Sequence, residues 1–187
     1  KKAKFSFHRR DDGILPEIIS IIPLKDDVVF PHLIRPLSLS GEETVKALNE
    51  AISRNELIGI VALKYDVESP KHTDFYDVGT AVKVIQVFES TTDNIKFLLE
   101  GVVRIKVVEY LQTEPHYKAR IEELREFTEK SETIDVLVQS VKTLFKLSAM
   151  LGKTLPKDII PMIDNVNNPS MLADLVAKCE YCDKFFL

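Results

Sequence analysis

Catalytic chemistry is what this sequence has least of. It holds no Gly-x-Ser-x-Gly elbow and no glycine-rich loop leading from a strand into a helix. Its histidines, His8, His32, His72 and His116, are scattered. Cysteine occurs only twice in 187 residues, which fits a reducing compartment better than a disulfide scaffold, so a cytoplasmic location is expected. No apolar run approaches the roughly 18 residues that span a bilayer, and no signal-peptide pattern opens the chain. No membrane partner is expected. Basic excess is lacking too: the formal net charge is −4, which argues against a dedicated nucleic-acid binder. The start, Lys1 to Arg10, is locally basic, read as a solvated terminus and only second as a contact for phosphates or anionic lipid.

The near misses have structural readings. Gly152-Lys153-Thr154 ends like a phosphate-binding loop, but the glycine needed five residues earlier is Leu147, so Gly152 reads as a helix C-cap. Cys179-Glu180-Tyr181-Cys182 has zinc-knuckle spacing without a second ligand pair. The adjacent carboxylates Asp26-Asp27 and Glu42-Glu43 diverge in direction, which suits turns or caps rather than acid/base work. Arg35 and Arg104 are expected to pair with acids inside the fold. No catalytic residue, no metal and no cofactor is therefore expected in this chain.

What is present is a change of period. From Ile18 to about Leu124 the chain reads as strands. Leu57 to Leu63 is a short continuous apolar run; Ala81 to Phe88 is rich in β-branched residues; Asn94 to Glu100 follows the turn residues Ser90 to Asn94. Val103, Ile105 and Val107 share one face of a further strand, and Tyr117, Ala119 and Ile121 repeat the alternation. Gly79 and Gly101 are expected beside strand starts, at tight bends. One helix, near residues 41–54, interrupts: Ser40-Gly41-Glu42-Glu43 has capping-box spacing, and Val45, Leu48 and Ile52 form a stripe. From Ser131 the period becomes 3.6, with Ile134, Leu137, Val138, Val141, Leu144 and Phe145 on one side of a helix. Pro156 can open a short helix with Ile159, Ile160 and Ile163 inward. Asn168-Pro169 then starts a last one, with Met171, Leu172, Leu175, Val176 and Cys179 as its stripe. The expected class is α+β, divided as a basic segment 1–17, a β-rich lobe 18–124 and an all-α lobe 125–187, joined near Glu122 to Lys130.

Between strand and first helix lies Pro23 to Ser40, PLKDDVVFPHLIRPLSLS, where apolar residues are broken up by Pro23, Pro31 and Pro36. It divides into a strand and turn to Val28, a loop from Phe30 to Ile34, and a strand from Pro36. The proline-bracketed loop, Phe30, Pro31, His32, Leu33 and Ile34, is the expected contact surface for a partner. The alternative places Phe30 and Ile34 in the core and leaves only His32 outside.

Four ordered blocks carry a family resemblance. Ile22 to His32 with Arg35-Pro36-Leu37, then Tyr76 to Ala81, then Leu99 to Ile105, and finally Asn168-Pro169-Ser170-Met171-Leu172-Ala173-Asp174 resemble the N-terminal domain of Lon proteases. The likeness covers about Ile18 to Lys178; from Cys179 the chain is more aromatic and Cys-rich than the family pattern. The resemblance implies a PUA-like pseudo-barrel lobe followed by a helical bundle. It implies a substrate-recognition and docking domain that precedes an ATPase module, using ATP and Mg2+, and a serine-protease module with a Ser-Lys pair, in a homo-hexamer. Its substrates would be unfolded or misfolded polypeptides. Neither module's motifs occur in these residues, and the start without Met and abrupt apolar end suggest a fragment. Two other readings compete: a free-standing adaptor of the same fold, and a DNA-contacting module, which the acidic balance disfavours.

Overall fold

A computed structural model describes residues 15–67, 69–125, 131–151 and 159–182. The chain divides into two compact units at Leu124 and Arg125.

The first unit is built on six strands: β1 Ile18–Leu24, β2 Ile34–Ser40, β3 Ile58–Leu63, β4 Phe75–Ser90, β5 Asn94–Gln112 and β6 Tyr117–Glu123. One helix, α1 Glu42–Ser53, lies between β2 and β3, and a 3-10 turn, His72–Asp74, precedes β4. The sheet order is β2-β5-β4-β3-β1-β6, with a further pairing of β5 to β6. Pairing therefore runs in a closed circuit through β5, β4, β3, β1 and β6. β1 and β3 are parallel, from Ser20 opposite Ile58 to Leu24 opposite Ala62; every other pair is antiparallel.

Length explains how two strands serve several partners. β4 has 16 residues and β5 has 19. The first half of β5 pairs with β2 and with the second half of β4, while its second half pairs with β6. The turn between β4 and β5 is closed by Thr91, whose N–H donates to the Asn94 carbonyl (2.8 Å) and whose Oγ1 accepts from the Asn94 N–H (3.0 Å).

Two cores flank β1 and β3. Ile22, Leu24, Ile58 and Ile60 join Val45, Leu48 and Ala51 of α1 and Ile95, Phe97 and Leu99 of β5. Ile19, Ile21 and Val61 join Phe75, Ala81, Ile105, Val107, Ala119 and Ile121 in the other. A strand buried on both faces needs apolar residues at successive positions, which is why Leu57 to Leu63 reads as an unbroken apolar run. Each fully buried aliphatic or aromatic side chain contributes about 1.5–3 kcal/mol.

Three details differ from expectation. Ser40 does not cap α1. It ends β2 opposite Asn94, its hydroxyl donates to Asn94 Oδ1 (2.7 Å), and Gly41 takes the N-cap position at φ 107° without a side-chain cap bond. Strand pairing has claimed the hydroxyl that a cap would use. Gly79 and Gly101 are not bends at strand starts either; both lie inside strands. A Cβ on Gly79 would collide with the Ile60 carbonyl, and one on Gly101 with the Phe30 carbonyl. Their task is to admit neighbouring backbone.

The second unit has α2 Glu132–Met150, α3 Ile159–Asn165 and α4 Pro169–Cys182. Ser131 caps α2, accepting from the Ile134 N–H (3.2 Å). The buried ammonium of Lys142 donates to the Asp164 carbonyl (3.0 Å), and Lys146 pairs with the Asp164 carboxylate (2.6 Å), tying α2 to the end of α3. Asn168 Oδ1 accepts from the Met171 N–H (3.0 Å), the cap expected there. Ile159, Ile163, Leu172 and Leu175 are buried. Of the α2 stripe, Ile134, Val138, Val141 and Phe145 are half-buried, whereas Leu137 and Leu144 are exposed. Gly152 and Pro156 lie outside the described residues, as do the side chains of Cys179 and Cys182.

Candidate functional site

The segment joining β1 to β2 is built around one carboxylate. Asp26 turns the chain at φ 54°, a left-handed conformation that Asp tolerates better than most residues. Asp27 Oδ1 then accepts from the Val28 N–H (2.8 Å) and from Arg35 (2.7 Å), while Oδ2 accepts from the other guanidinium nitrogen (2.6 Å). Arg35 also reaches the Val28 carbonyl (3.3 Å). Both side chains are about three-quarters removed from solvent, so this bidentate pair is worth more than an exposed one. Before it, Lys25 pairs with Asp66 (2.6 Å), and that carboxylate raises the lysine's pKa.

The loop is held from below as well. The Val29 carbonyl accepts from the buried Thr80 hydroxyl (2.6 Å). The His32 N–H donates to the Gly101 carbonyl (2.7 Å) and the Gly101 N–H to the Leu33 carbonyl (2.9 Å). His32 adopts φ 61° to make this exchange. The segment is thus bound to β4 and β5 through its backbone, which leaves its side chains to divide between the two sides.

They divide as follows. Pro31 and Leu33 are buried, Phe30 is half-buried, and His32 and Ile34 face solvent. Phe30 to Leu33 thus form a loop with a mixed face, while Ile34, expected to belong to the loop, opens β2 opposite Glu100. Ile34, expected by the alternative to be core, is 42 % exposed.

Ile34 continues into a larger surface. In the register of β2, β5 and β4, Ile34 stands beside Glu100 and Lys83, and Pro36 beside Leu98 and Gln86. These positions alternate with Leu37, Phe97 and Leu39, Ile95, whose side chains belong to the core. Ile34, Pro36 and Leu98 therefore share the face turned away from that core. On β4 the register shifts at two places, leaving Ile85 and Phe88 without ladder partners, and these are 46 % and 56 % exposed. A Lys96–Glu89 ion pair (3.1 Å) sits among them. Sequence reading missed Ile85 and Phe88, because a bulge is set by the neighbouring strand. Pro36 lacks an N–H and the bulges break the β4 ladder, so both margins of this three-stranded region are blunted against strand addition.

Nothing in this arrangement supplies a nucleophile with a base. Among the described residues no group of three His, Cys, Asp or Glu side chains could hold a metal ion, and no helix is long and apolar enough to cross a membrane. What the surface offers is exposed apolar area on a firmly held support.

Residues 18–183 match the family described as the ATP-dependent protease La (LON) substrate-binding domain. The chain is 32 % identical over 163 residues to a Lon protease of Dictyoglomus thermophilum and 34 % identical over 163 residues to one of Citrifermentans bemidjiense. Each alignment takes in 87 % of this chain but only 21 % and 20 % of the relative, so the chain spans about a fifth of the curated proteins it matches. Among solved structures, the N-terminal domain of Mycobacterium avium complex Lon protease shares the fold, with a TM-score of 0.63 at 21 % identity over 84 % of this chain and 80 % of that one. A Lon N-terminal domain protein from Xanthomonas campestris gives 0.54 at 12 % identity, over 86 % and 97 %. By its own match over most of its length, the chain belongs to the LON substrate-binding domain family.

Proposed function

We propose that the chain captures unfolded or misfolded polypeptides for an ATP-dependent serine protease and docks them for a motor carried elsewhere in the same protein. The observation that carries this reading is the row of exposed Ile34 and Pro36 with half-buried Leu98, together with exposed Ile85 and Phe88 on β4, on a loop and strands held by backbone hydrogen bonds and the buried Thr80–Val29 bond. A quality-control protease must recognise what folded proteins hide. An apolar patch does so without demanding a sequence, since burial yields about 25 cal/mol per Å2 of any apolar surface. Rigid support matters because a surface that must first be ordered loses part of that gain.

The rest of the reading follows the family. Residues 18–124 would form the PUA-like pseudo-barrel, to which the closed pairing circuit is suited, and residues 125–187 the bundle leading towards an ATPase module that uses ATP and Mg2+. Assembly as a homo-hexamer in the cytoplasm would present several such patches together and hold one chain by avidity. Hydrogen-exchange footprinting of the chain with a reduced, carboxymethylated protein tests the reading. Protection is expected over β2 and the second half of β4, and protection that leaves both untouched would refute it.

A further inference from the structure

α2 carries an apolar face that its own unit leaves in water. Val136, Leu137, Leu144, Leu147, Met150 and Leu151 are each 48–87 % exposed. Leu137, Leu144 and Leu151 recur every seven residues, and Ser140 and Leu147 fall between them. That spacing is the seam along which one helix packs on another. Val136, Thr143 and Met150 flank it, while the half-buried Ile134, Val138, Val141 and Phe145 lie on the opposite side of the helix. From Val136 to Leu151 the face runs for about 22 Å and none of these residues is charged. It exposes on the order of 800 Å2, more than the largest apolar patch of a typical monomer and what one partner gives to a standard interface.

The polar groups on this face are already committed. Ser140 donates to the Val136 carbonyl and Thr143 to the Gln139 carbonyl, both at 2.9 Å. The face can therefore lose its water without orphaning a hydroxyl proton. It offers no free donor to an extended chain, whose carbonyls would be left unpaired against it. A helix, with its backbone bonded internally, fits better. Among the described residues, α2 is the one helix with large apolar side chains in water, so the seam that matches it is its own.

From these features we propose that α2 pairs with α2 of a second copy of this chain, antiparallel about a two-fold axis between Leu144 and Leu147. Each Leu144 then meets the partner's Leu147, and the small Ser140 lies opposite the partner's Leu151. A parallel pair would set serine against serine and bring together two acidic first turns, each with Glu132 and Asp135. Antiparallel pairing separates those carboxylates and opposes the helix dipoles. The contact is isologous, the same patch on both copies. It goes beyond the hexamer proposed above, which specifies no surface, and it does not depend on the Ile34 surface.

Sedimentation equilibrium of the 187-residue chain, up to about 0.5 mM, tests the pairing. A reversible monomer–dimer equilibrium with a Kd in the micromolar range is expected. Leu144→Asp, which acts twice in each dimer, should raise Kd about a hundredfold or more and leave the thermal midpoint unchanged. Ser140→Glu and Leu151→Lys should each weaken the dimer alone. Mixed together they should form a heterodimer, because antiparallel pairing brings the new carboxylate onto the new ammonium. Ile34→Asp should dimerise like the parent chain. A chain that stays monomeric throughout would assign the face to a different helix and overturn the proposal. So would a Leu144→Asp chain that dimerises as tightly as the parent, or a mixture that associates no better than its two components.

Discussion

Arg35 grips Asp27 with both terminal nitrogens, at 2.7 and 2.6 Å, across the base of the segment that joins β1 to β2. Because the pair is largely withdrawn from water, removing one partner strands the other. Arg35→Ala or Asp27→Ala should cost about 2–4 kcal/mol in urea unfolding. Arg35→Lys should recover only part, since an ammonium cannot form the two-pronged contact. Equal stability of Lys and Arg at 35 would show that the bidentate geometry is unimportant.

Gly101 tests the other side of the same segment. A methyl group there meets the Phe30 carbonyl, so Gly101→Ala should cost about 1–3 kcal/mol and speed hydrogen exchange at His32, whose N–H bonds to residue 101. Gly41→Ala should also destabilise, through its φ of 107°, by about 1–3 kcal/mol. There the loop amide of His32 should be unaffected. Identical exchange at His32 in both variants would contradict the assignment.

Thr80→Val keeps shape and removes the hydroxyl that donates to the Val29 carbonyl. An orphaned buried carbonyl costs about 1–3 kcal/mol, and thermal melts of the two proteins give the difference directly. No change in melting would mean that this bond does not hold the loop.

His116 makes stability depend on pH. Burial lowers its pKa, Lys118 lowers it further, and Glu50 and Glu43 oppose weakly. A folded-state pKa below the unfolded value means that the unfolded chain binds the proton more readily. Above about pH 6.5 both forms are neutral and the residue contributes no penalty. As pH falls below that value the folded state loses stability, until His116 itself titrates in the folded protein. The urea midpoint should therefore drop less between pH 7.5 and 5.0 in His116→Gln than in the parent chain. Equal drops would exclude the histidine as the source.

Local signals were legible in the sequence and spatial ones were not. The apolar run Leu57 to Leu63 and the Asn168 cap depend on nearby residues, and β3 and α4 form where those signals lie. Arg35 was expected to meet an acid, and Asp27 is only eight residues away. Gly79 and Gly101 misled because the backbone they admit comes from other parts of the chain. Ser40 misled because Asn94, 54 residues on, competes for its hydroxyl. His72 and His116 looked scattered, and only the closing of β5 onto β6 brings them to one groove. The segment Phe30 to Ile34 was marked out by its prolines, but which of its side chains face outward depends on Gly101 and Thr80.

The most direct test of the central claim is one substitution, Ile34→Asp, which changes an exposed side chain and leaves buried Leu33 in place. Binding of fluorescently labelled, reduced and carboxymethylated lysozyme is followed by anisotropy, with the unfolding midpoint measured alongside. The account predicts a Kd raised about tenfold or more, as for a central apolar contact, with the midpoint unchanged. An unchanged Kd in a normally folded Ile34→Asp chain would contradict it.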